Sequence, residues 1–266
     1  MSYIITIANQ KGGVGKSTTA HALGQGLLLK EYRVLFVDLD AQGNLSYTMG
    51  APNEGVNVYD VLTQKATAEE AIRYTIQGDI MPATPSLSGA DMTLLQTGKE
   101  YLLKEALAPL KESYDYILID TPPALGILTV NALTASNGVI IPTQADIFSL
   151  QGIGQLYNTI RTVKTYCNPG LTIEGILLTR FSNRSILSRD IAEMIGDTAS
   201  QLKTKVYKAT IREAIAIKEA QISQADIFSY ASKSNVASDY KDFVSEVLEE
   251  IEKRNGGLED HGQEKF

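Results

Sequence analysis

A glycine-rich segment near the start of the chain constrains the fold more than any other feature. Residues 10–18 are QKGGVGKST, and they stand between an apolar run at residues 3–8 and an amphipathic run at residues 16–30. Glycines carry no Cβ, so successive backbone N–H groups can converge on one concavity, and the N-terminus of a following helix adds partial positive charge. The segment therefore predicts a phosphate-binding loop between a strand and a helix. Lys16 is expected to reach the β- and γ-phosphates of a nucleotide, and the Ser17 hydroxyl to ligate Mg²⁺.

Apolar and amphipathic segments alternate along most of the chain. Six runs rich in aliphatic residues predict strands that are covered on both faces: residues 3–8, 33–38, 114–120, 138–142, 171–179 and 204–209. Four amphipathic segments predict further helices: residues 98–111, 150–165, 186–202 and 236–253. Such an alternation favours right-handed βαβ units. The predicted fold class is therefore α/β, a P-loop NTPase with a mostly parallel, twisted sheet and helices on both faces.

The chain is interpreted as one domain followed by a tail. Residues 1–254 form the predicted P-loop domain. Within it, residues 43–97 are punctuated by glycine and proline and are interpreted as an elaboration at the edge of the sheet. Residues 255–266 are polar and rich in glycine, which predicts a disordered tail.

Composition excludes several classes of function. The single cysteine, Cys167, excludes a disulfide scaffold, a cysteine-rich zinc site and a cluster that needs several thiolates from this chain. No uninterrupted apolar stretch reaches the ~18 residues of a membrane span, and the N-terminus lacks the basic region of a signal peptide. The sequence therefore predicts a cytoplasmic protein with no membrane partner. The net charge of −7 argues against a surface that coats nucleic acid generally.

A second lysine, Lys11, directly precedes the paired glycines, and Gln10 stands where the general phosphate-loop pattern has glycine. The pattern K-G-G-x-G-K-[S/T] resembles the deviant Walker A motif of the ParA/MinD family of ATPases. The resemblance implies a Mg²⁺-dependent ATPase that sandwiches ATP in a homodimer, in which Lys11 reaches the partner's phosphates and stabilises their charge in trans. A solvated loop lysine is the alternative for Lys11.

The same resemblance assigns roles within the motif. It implies that Lys11 and Lys16 are catalytic. It also implies that ATP or ADP is bound by the whole segment: Lys11, Gly12, Gly13, Val14, Gly15, Lys16, Ser17 and Thr18.

Two aspartates, Asp38 and Asp40, follow the second predicted strand. Their spacing directs both side chains to the same face of an extended segment, at the sheet edge where ligands bind in open α/β folds. Residues 38–44 resemble the family motif D-x-D-P-Q-G-N, with Ala41 in place of proline. The resemblance implies that Asp38 is an outer-shell magnesium partner and that Asp40 orients the attacking water. The alternative is two exposed aspartates that cap the next helix.

A third aspartate, Asp120, ends the apolar strand at residues 114–120 and resembles a Walker B carboxylate. It would hold Mg²⁺ through water, because Mg²⁺ dehydrates reluctantly. The predicted magnesium set is Ser17, Asp38 and Asp120. Residues 142–152 resemble a further family segment in which Asp146 stands where glutamate is usual, and we interpret it as a dimer-face or sensor element.

The sequence indicates the residues that contact adenine less clearly than any other part of the site. Position within the family suggests Arg180 and Arg212, and an ordinary surface arginine is the alternative for each. These two residues complete the predicted nucleotide-binding set.

The resemblance is closest to ParA-type partition ATPases of the shorter, Soj-like branch, because the chain begins at the phosphate-loop strand. It implies an ATP-bound dimer that binds duplex DNA without sequence preference and associates with the nucleoid, and a ParB-type partner that triggers hydrolysis. Residues 180–218 hold eight basic and four acidic residues, a local charge of +4 that could contact phosphates. The alternative is helix faces solvated by charge. The predicted DNA contacts are Arg184, Arg189, Lys203, Lys205, Lys208 and Lys218.

Two other functions remain open from the sequence. A MinD-like positioning ATPase would need a basic amphipathic C-terminal helix for the membrane, whereas residues 239–266 hold nine acidic and four basic residues. A metabolic P-loop enzyme would need a second pocket for a small molecule, for which no motif is found.

Overall fold

The computed structural model of the chain describes residues 2–52, 54–182 and 186–260. Its strands are β1 (Tyr3–Ile7), β2 (Val34–Asp38), β3 (Arg73–Thr75), β4 (Gly78–Met81), β5 (Tyr116–Asp120), β6 (Gly138–Thr143) and β7 (Thr172–Leu178). They form one sheet in the order β3-β4-β2-β5-β1-β6-β7. All neighbours run parallel except β3, which pairs antiparallel with β4 at one edge. The predicted fold class is confirmed.

Twelve α-helices connect or follow these strands within the described residues. They are α1 (Lys16–Leu28), α2 (Asn44–Thr48), α3 (Val58–Leu62), α4 (Ala68–Ala71), α5 (Ala90–Thr93), α6 (Leu102–Leu107), α7 (Ile127–Ala135), α8 (Ile147–Tyr166), α9 (Ile186–Gln201), α10 (Ile215–Ile222), α11 (Ile227–Tyr230) and α12 (Asn235–Asp260). The last helix continues past the end of the predicted domain at residue 254.

Alternate residues of each strand face opposite layers of helices. In β1, Ile5 and Ile7 belong to the core shared with α1, α2, α10, α11 and α12, whereas Ile4 belongs to the core shared with α3 to α7. The same alternation separates Phe36 from Val37 in β2. Helices α8 and α9 cover β6 and β7 on the side of α7. Strands covered on both faces are apolar at nearly every position, which is the pattern seen in the sequence.

Helix α1, which follows the phosphate loop, is wedged between the sheet and α12. A Cβ on Gly24 would lie 2.1 Å from the ring of Phe36, and one on Gly26 would lie 2.5 Å from Val244. Glycine weakens a helix interior, and here its absence of a side chain is what lets the helix approach the sheet so closely. The start of α1 is thereby held against the carboxyl ends of the strands.

Two predicted elements are wrong in detail. Residues 204–209 do not form a strand, because only Val206 among them bridges to β7 and the next isolated bridge is made by Ile211. Between these bridges the ring of Tyr207 packs on Phe243. The predicted helix at residues 98–111 is divided into α6 and two flanking 3₁₀ turns. Pro109 lies in the second turn, and proline lacks the N–H that a continuing α-helix needs.

The elaboration at residues 43–97 contributes β3 and β4 to the sheet, together with helices α2 to α5. It is therefore part of the sheet edge, as expected, but it is more regular than the sequence indicates. Its short apolar pieces are each below the length at which periodicity distinguishes a helix from a strand.

Candidate functional site

The phosphate loop adopts the shape that its glycines predict. Gly13 and Gly15 have φ of 75° and 87°, in the left-handed region that favours glycine. Helix α1 begins at Lys16, so its first backbone N–H groups, including those of Ser17 and Thr18, have no partner inside the helix. The loop therefore presents N–H groups and a helix N-terminus to one point, which is an anion site.

Three polar side chains hold the loop from outside. Asn9 Oδ1 accepts a hydrogen bond from the Lys11 N–H at 2.9 Å. Gln144 Nε2 donates to the Gly13 carbonyl oxygen at 3.1 Å, and Thr179 Oγ1 donates to the Val14 carbonyl oxygen at 2.8 Å. These bonds fix the loop's backbone, so that its N–H groups are positioned before any ligand arrives.

Asp38 and Asp120 are neighbours in the sheet, because they are paired in register at the ends of β2 and β5. Asp38 Oδ2 accepts hydrogen bonds from the Ser46 N–H and hydroxyl, both at 2.8 Å, and Oδ1 accepts one from the Asp40 N–H at 3.1 Å. Burial raises the pKa of Asp38 to about 6, although these bonds oppose the shift. Asp38 is therefore a buried carboxylate that is already partly satisfied.

Asp120 differs, because both of its carboxylate oxygens are buried and, among the described residues, neither has a hydrogen-bond partner. Burial, and then the charge of Asp38, raise the pKa of Asp120 well above its usual range. The Ser17 hydroxyl, which lies close to Asp120 but outside hydrogen-bonding geometry, and the charge of Lys16 oppose this shift. A buried carboxylate without partners is costly, and it marks a place where a cation would be stabilised.

Lys16 lies close enough to Asp120 and Asp40 for their charges to act on it. It is 7% exposed, and burial lowers its pKa, whereas Asp120 and Asp40 act to raise it. Its Nζ donates to the Lys11 carbonyl oxygen at 3.4 Å, so the side chain lies across the phosphate loop. Lys16, Asp120 and Asp40 are thus brought together as the sequence predicts.

Asp40 faces a cavity of about 550 Å³ that opens beside the phosphate loop. It is 8% exposed, and its Oδ1 accepts from the Gln42 N–H at 3.0 Å. The alternative of two exposed capping aspartates is wrong on exposure, because Asp38 is fully buried. The capping part of that alternative holds for Asp38, because its carboxylate accepts a hydrogen bond from the Ser46 N–H in the first turn of α2.

Comparisons with known proteins identify the family of this site. A family model described as an AAA domain matches residues 2–173. The sporulation initiation inhibitor protein Soj of Bacillus subtilis is 42% identical over 252 residues, which cover 93% of this chain and 98% of Soj. This chain belongs to the Soj/ParA family. The resemblance found in the Walker A segment is therefore confirmed over almost the whole chain.

Solved structures agree on the fold of this Soj/ParA family member. Cobyrinic acid a,c-diamide synthase from Mycobacterium smegmatis, solved with bound ADP and magnesium, is 35% identical with a TM-score of 0.82, covering 95% of this chain and 96% of that one. A plasmid partition protein from Borrelia burgdorferi is 28% identical with a TM-score of 0.75, covering 93% and 98%. Proteins named for a metabolic reaction and for plasmid partition therefore share this fold.

The Soj/ParA signature lysine, Lys11, is paired within its own chain. Its Nζ forms an ion pair with Asp146, which is also the N-cap of α8. Although burial acts to raise it, the pKa of Asp146 is lowered by the hydrogen bond and charge of Lys11. Both side chains remain one-third exposed. The sequence predicts a dimer-face or sensor element at Asp146, and the structure places that residue against the signature lysine.

Arg180 and Arg212 lie beside the loop, next to a narrower recess that Val14, Gly15 and Thr18 also line. Arg212 is engaged, because its Nε and Nη2 donate to the two oxygens of Asp239 at 2.6 and 2.7 Å. The exposed Arg180 has φ of 48°. Both residues line this recess, and their adenine contacts stay a prediction.

The predicted DNA contacts in the described part of the chain lie on several different elements. Arg184 lies outside the described residues. Arg189 is exposed on α9, in the helix layer that also contains α7 and α8. Lys208 is exposed beyond β7, on the side of α12. Lys205 pairs with Glu250 at 3.1 Å and also reaches Glu246 at 3.9 Å, so its charge is compensated.

Lys203 and Lys218 complete that set in different places. Lys203 is exposed just after α9 and has φ of 54°. Lys218 lies on α10 and lines the cavity beside the phosphate loop, together with Gln221. No sequence motif indicates Gln221. Its Nε2 donates to Thr18 Oγ1 at the start of α1 at 3.1 Å, so it belongs to the site. The DNA-contact set as a whole stays a prediction.

Two features are absent from the described residues. None of their helices is long and apolar enough to cross a membrane. None of their histidines, cysteines, aspartates and glutamates form a group of three or more poised to hold a metal ion by themselves.

Proposed function

We propose that this chain is an ATP-dependent, dimerising switch ATPase that binds duplex DNA without sequence preference. With a ParB-type activator it positions chromosomal or plasmid DNA, and it moves between cytoplasm and nucleoid as it does so. The observation that carries the ATPase part is the unpartnered Asp120 carboxylate beside the phosphate loop. Membership of the Soj/ParA family supports the part that concerns DNA.

Magnesium fits the residues at this site. Mg²⁺ prefers hard oxygen ligands and keeps several waters. The Ser17 hydroxyl and the Asp120 carboxylate are the groups that would hold it, with Asp38 in the outer shell, and the orphaned oxygens of Asp120 would gain a cation that they lack. When bound, the ion neutralises charge on the phosphates.

The chain's own residues account for the remaining steps. The loop N–H groups and Lys16 would bind the phosphates, and Asp40 would orient the water that attacks the γ-phosphate. Lys11 would leave Asp146 and reach the phosphates held by the second subunit. Hydrolysis would then wait on dimerisation, because a charge needed in the transition state comes from the partner.

Retention on DNA tests this proposal most directly. The full chain with Mg²⁺ is passed over immobilised duplex DNA of arbitrary sequence with ATP, with ADP or without nucleotide. We expect retention with ATP alone, falling steeply as salt rises, since phosphate contacts release counterions. Equal retention with ATP and ADP would contradict a nucleotide switch.

The role of Asp40 has a matched test. Asp40→Ala is expected to keep ATP binding and DNA retention while ATP turnover stops. Asp242→Ala removes an exposed aspartate on α12 and should leave turnover unchanged. Turnover at the wild-type rate in Asp40→Ala would show that the assignment of Asp40 is wrong.

Two other outcomes would point to the alternatives. A metabolic P-loop enzyme is the second candidate, because the similar Mycobacterium smegmatis protein is named as a synthase. ATP turnover without DNA retention at any salt concentration would support that candidate. Pelleting with anionic vesicles in ATP would instead support a MinD-like positioning ATPase.

A further inference from the structure

The turn between β3 and β4 reverses the usual pattern of burial. Ile76 is fully exposed, whereas the next residue, Gln77, is only 7% exposed. Burying an amide costs free energy unless its hydrogen bonds are made, and exposing an isoleucine forgoes apolar burial. The fold therefore places Gln77 inside for its hydrogen bonds and leaves the apolar neighbour in water.

The partners of Gln77 come from both sides of the cavity beside the phosphate loop. Its Nε2 donates to the carbonyl oxygens of Thr48 at 2.7 Å and Gln224 at 2.9 Å. Its Oε1 accepts from His21 Nε2 at 2.9 Å; burial lowers the pKa of His21 to about 4, so this histidine is neutral at neutral pH. Gln25 Nε2 donates to the Gln77 carbonyl oxygen at 2.6 Å.

The two carbonyl groups bound by the Gln77 amide stand at the ends of helices. Thr48 is the last residue of α2, and Gln224 follows two residues after the end of α10. Helix C-termini leave carbonyl oxygens without intrahelical partners, and one NH₂ group here satisfies both. The side chain of Gln224 adds a second tie, because its Nε2 donates to the Tyr47 carbonyl oxygen at 2.9 Å.

Helices α2 and α10 are walls of the 550 Å³ cavity. Tyr47 and Thr48 line it from α2, and Lys218, Gln221 and Ile222 line it from α10. Gln77 is bonded to Thr48 in one wall, to Gln224 just beyond the end of the other, and to α1, and it is not one of the lining residues. It therefore links the two helix ends without touching what lies between them.

We propose that Gln77 is a positioning residue that ties α2 to α10 and so slows the release of a nucleoside diphosphate or triphosphate from the cavity between them. This rests on the proposed nucleotide site. Without the amide, the two helix ends lose their common donor and the walls separate more readily. Release then becomes faster while the phosphate loop and Asp120 are unchanged.

The experiment measures dissociation of fluorescent mant-ADP with Mg²⁺ from the full chain. Gln77→Met keeps the length of the side chain and removes the amide, and it is expected to raise the dissociation rate by roughly tenfold, the effect of losing bonds to buried carbonyls. Gln224→Ala removes the bond to the Tyr47 carbonyl oxygen from an exposed side chain, at a residue whose φ is 47°, and is expected to raise the rate by about threefold. Ile76→Gln alters the exposed neighbour and should leave the rate unchanged.

A second control separates positioning from general loosening. Arg254 donates to the buried Glu174 carboxylate at 2.7 and 2.8 Å, near the start of β7 and so at the opposite end of the sheet. Arg254→Met should destabilise the fold without faster release. If Arg254→Met speeds release as much as Gln77→Met does, or if Gln77→Met releases at the wild-type rate, the positioning role is overturned.

The remaining outcomes are also decisive. Should Gln77→Met fail to fold, Gln224→Ala decides, and a wild-type rate in that variant overturns the proposal. A wild-type chain that binds no mant-ADP removes the proposed nucleotide site and the positioning role together. A wild-type chain that binds normally, with every variant unchanged, removes only the positioning role.

Discussion

The hexapeptide QADIFS occurs twice in this chain, at residues 144–149 and 224–229, and the two copies have opposite environments. Both start a helix in the same way: Asp146 and Asp226 are N-caps, and each accepts hydrogen bonds from the N–H groups two and three residues later. Beyond the cap the copies diverge. Phe148 is 70% exposed, whereas Phe228 is 6% exposed and lies in the core.

The contrast separates what a short sequence determines locally from what the fold adds. An N-cap needs only one side chain and the next turn of backbone, so it is the same in both copies. Burial depends on what packs above the helix, which six residues do not specify. The exposed copy lies beside the Lys11–Asp146 pair, so its isoleucine and phenylalanine are an apolar surface next to the residue expected to reach a second subunit.

The largest expected difference between the copies is in stability. Phe228→Ala should lower the free energy of unfolding by about 3 kcal/mol, because it removes a buried ring and leaves a cavity. Phe148→Ala should change it by less than about 0.5 kcal/mol, because the ring is already in water. Urea unfolding of both variants measures the gap. Equal losses would show that the exposed copy is also covered in solution.

The exposed phenylalanine, Phe148, should matter more for dimer formation than for stability. In the Asp40→Ala background with ATP, Phe148→Ala is expected to weaken the proposed homodimer by roughly tenfold, since truncating a buried interface aromatic typically costs more than 1 kcal/mol. Sedimentation velocity over a range of protein concentrations gives the dissociation constant. Tyr166→Ala, which truncates an aromatic ring 77% exposed at the other end of α8, is the control. If Phe148→Ala dimerises like the control, the ring lies off the dimer face.

The same division between local sequence and overall fold explains which features of this molecule could be predicted. The fold class and the phosphate loop follow from local signals: apolar strands, and glycines at the positions that have φ of 75° and 87°. The register that sets Asp38 beside Asp120 needs the strand order, which no local pattern contains. The burial of Gln77 beneath an exposed Ile76 runs against residue type altogether, so no sequence signal could have found it.

The basic segment at residues 180–218 shows the limit most clearly. Its charge of +4 is contiguous along the chain, but the segment passes around the β7 edge from one helix layer to the other. Its lysines then meet different neighbours: Lys205 is compensated by Glu250, and Lys218 faces the cavity. Charge along a sequence becomes a surface only when the fold places it on one face.

A smaller effect is expected at the serines that end each copy. Ser229 Oγ donates to Asp226 Oδ2 at 2.6 Å, whereas the Ser149 hydroxyl is buried and has no hydrogen-bond partner among the residues described. Ser229→Ala should therefore cost about 1 kcal/mol, and Ser149→Ala should cost nothing or stabilise slightly. Urea unfolding distinguishes them. A loss at Ser149→Ala equal to that at Ser229→Ala would reveal a partner for the first hydroxyl.

The smallest expected effect concerns the caps themselves. Asparagine also caps helices, so Asp146→Asn and Asp226→Asn both keep the cap, and only the first loses an ion pair. That pair is one-third exposed on each side, so Asp146→Asn should cost less than about 0.5 kcal/mol more than Asp226→Asn. The comparison is made by urea unfolding at low salt and at high salt, because high salt screens the ion pair.

Titration sharpens this last comparison. The folded pKa of Asp146 lies below its ordinary value, so the stability it contributes is present above the ordinary carboxyl pKa of about 4 and is lost as pH falls through the folded value. The stability difference between wild type and Asp146→Asn should therefore be constant near neutral pH and shrink only below about pH 4. A difference that instead grows on acidification would mean that the folded pKa of Asp146 is raised, and therefore that burial outweighs the pairing with Lys11 and the helix cap. The ion pair would then contribute little to the folded state, and little would be lost when Lys11 leaves it.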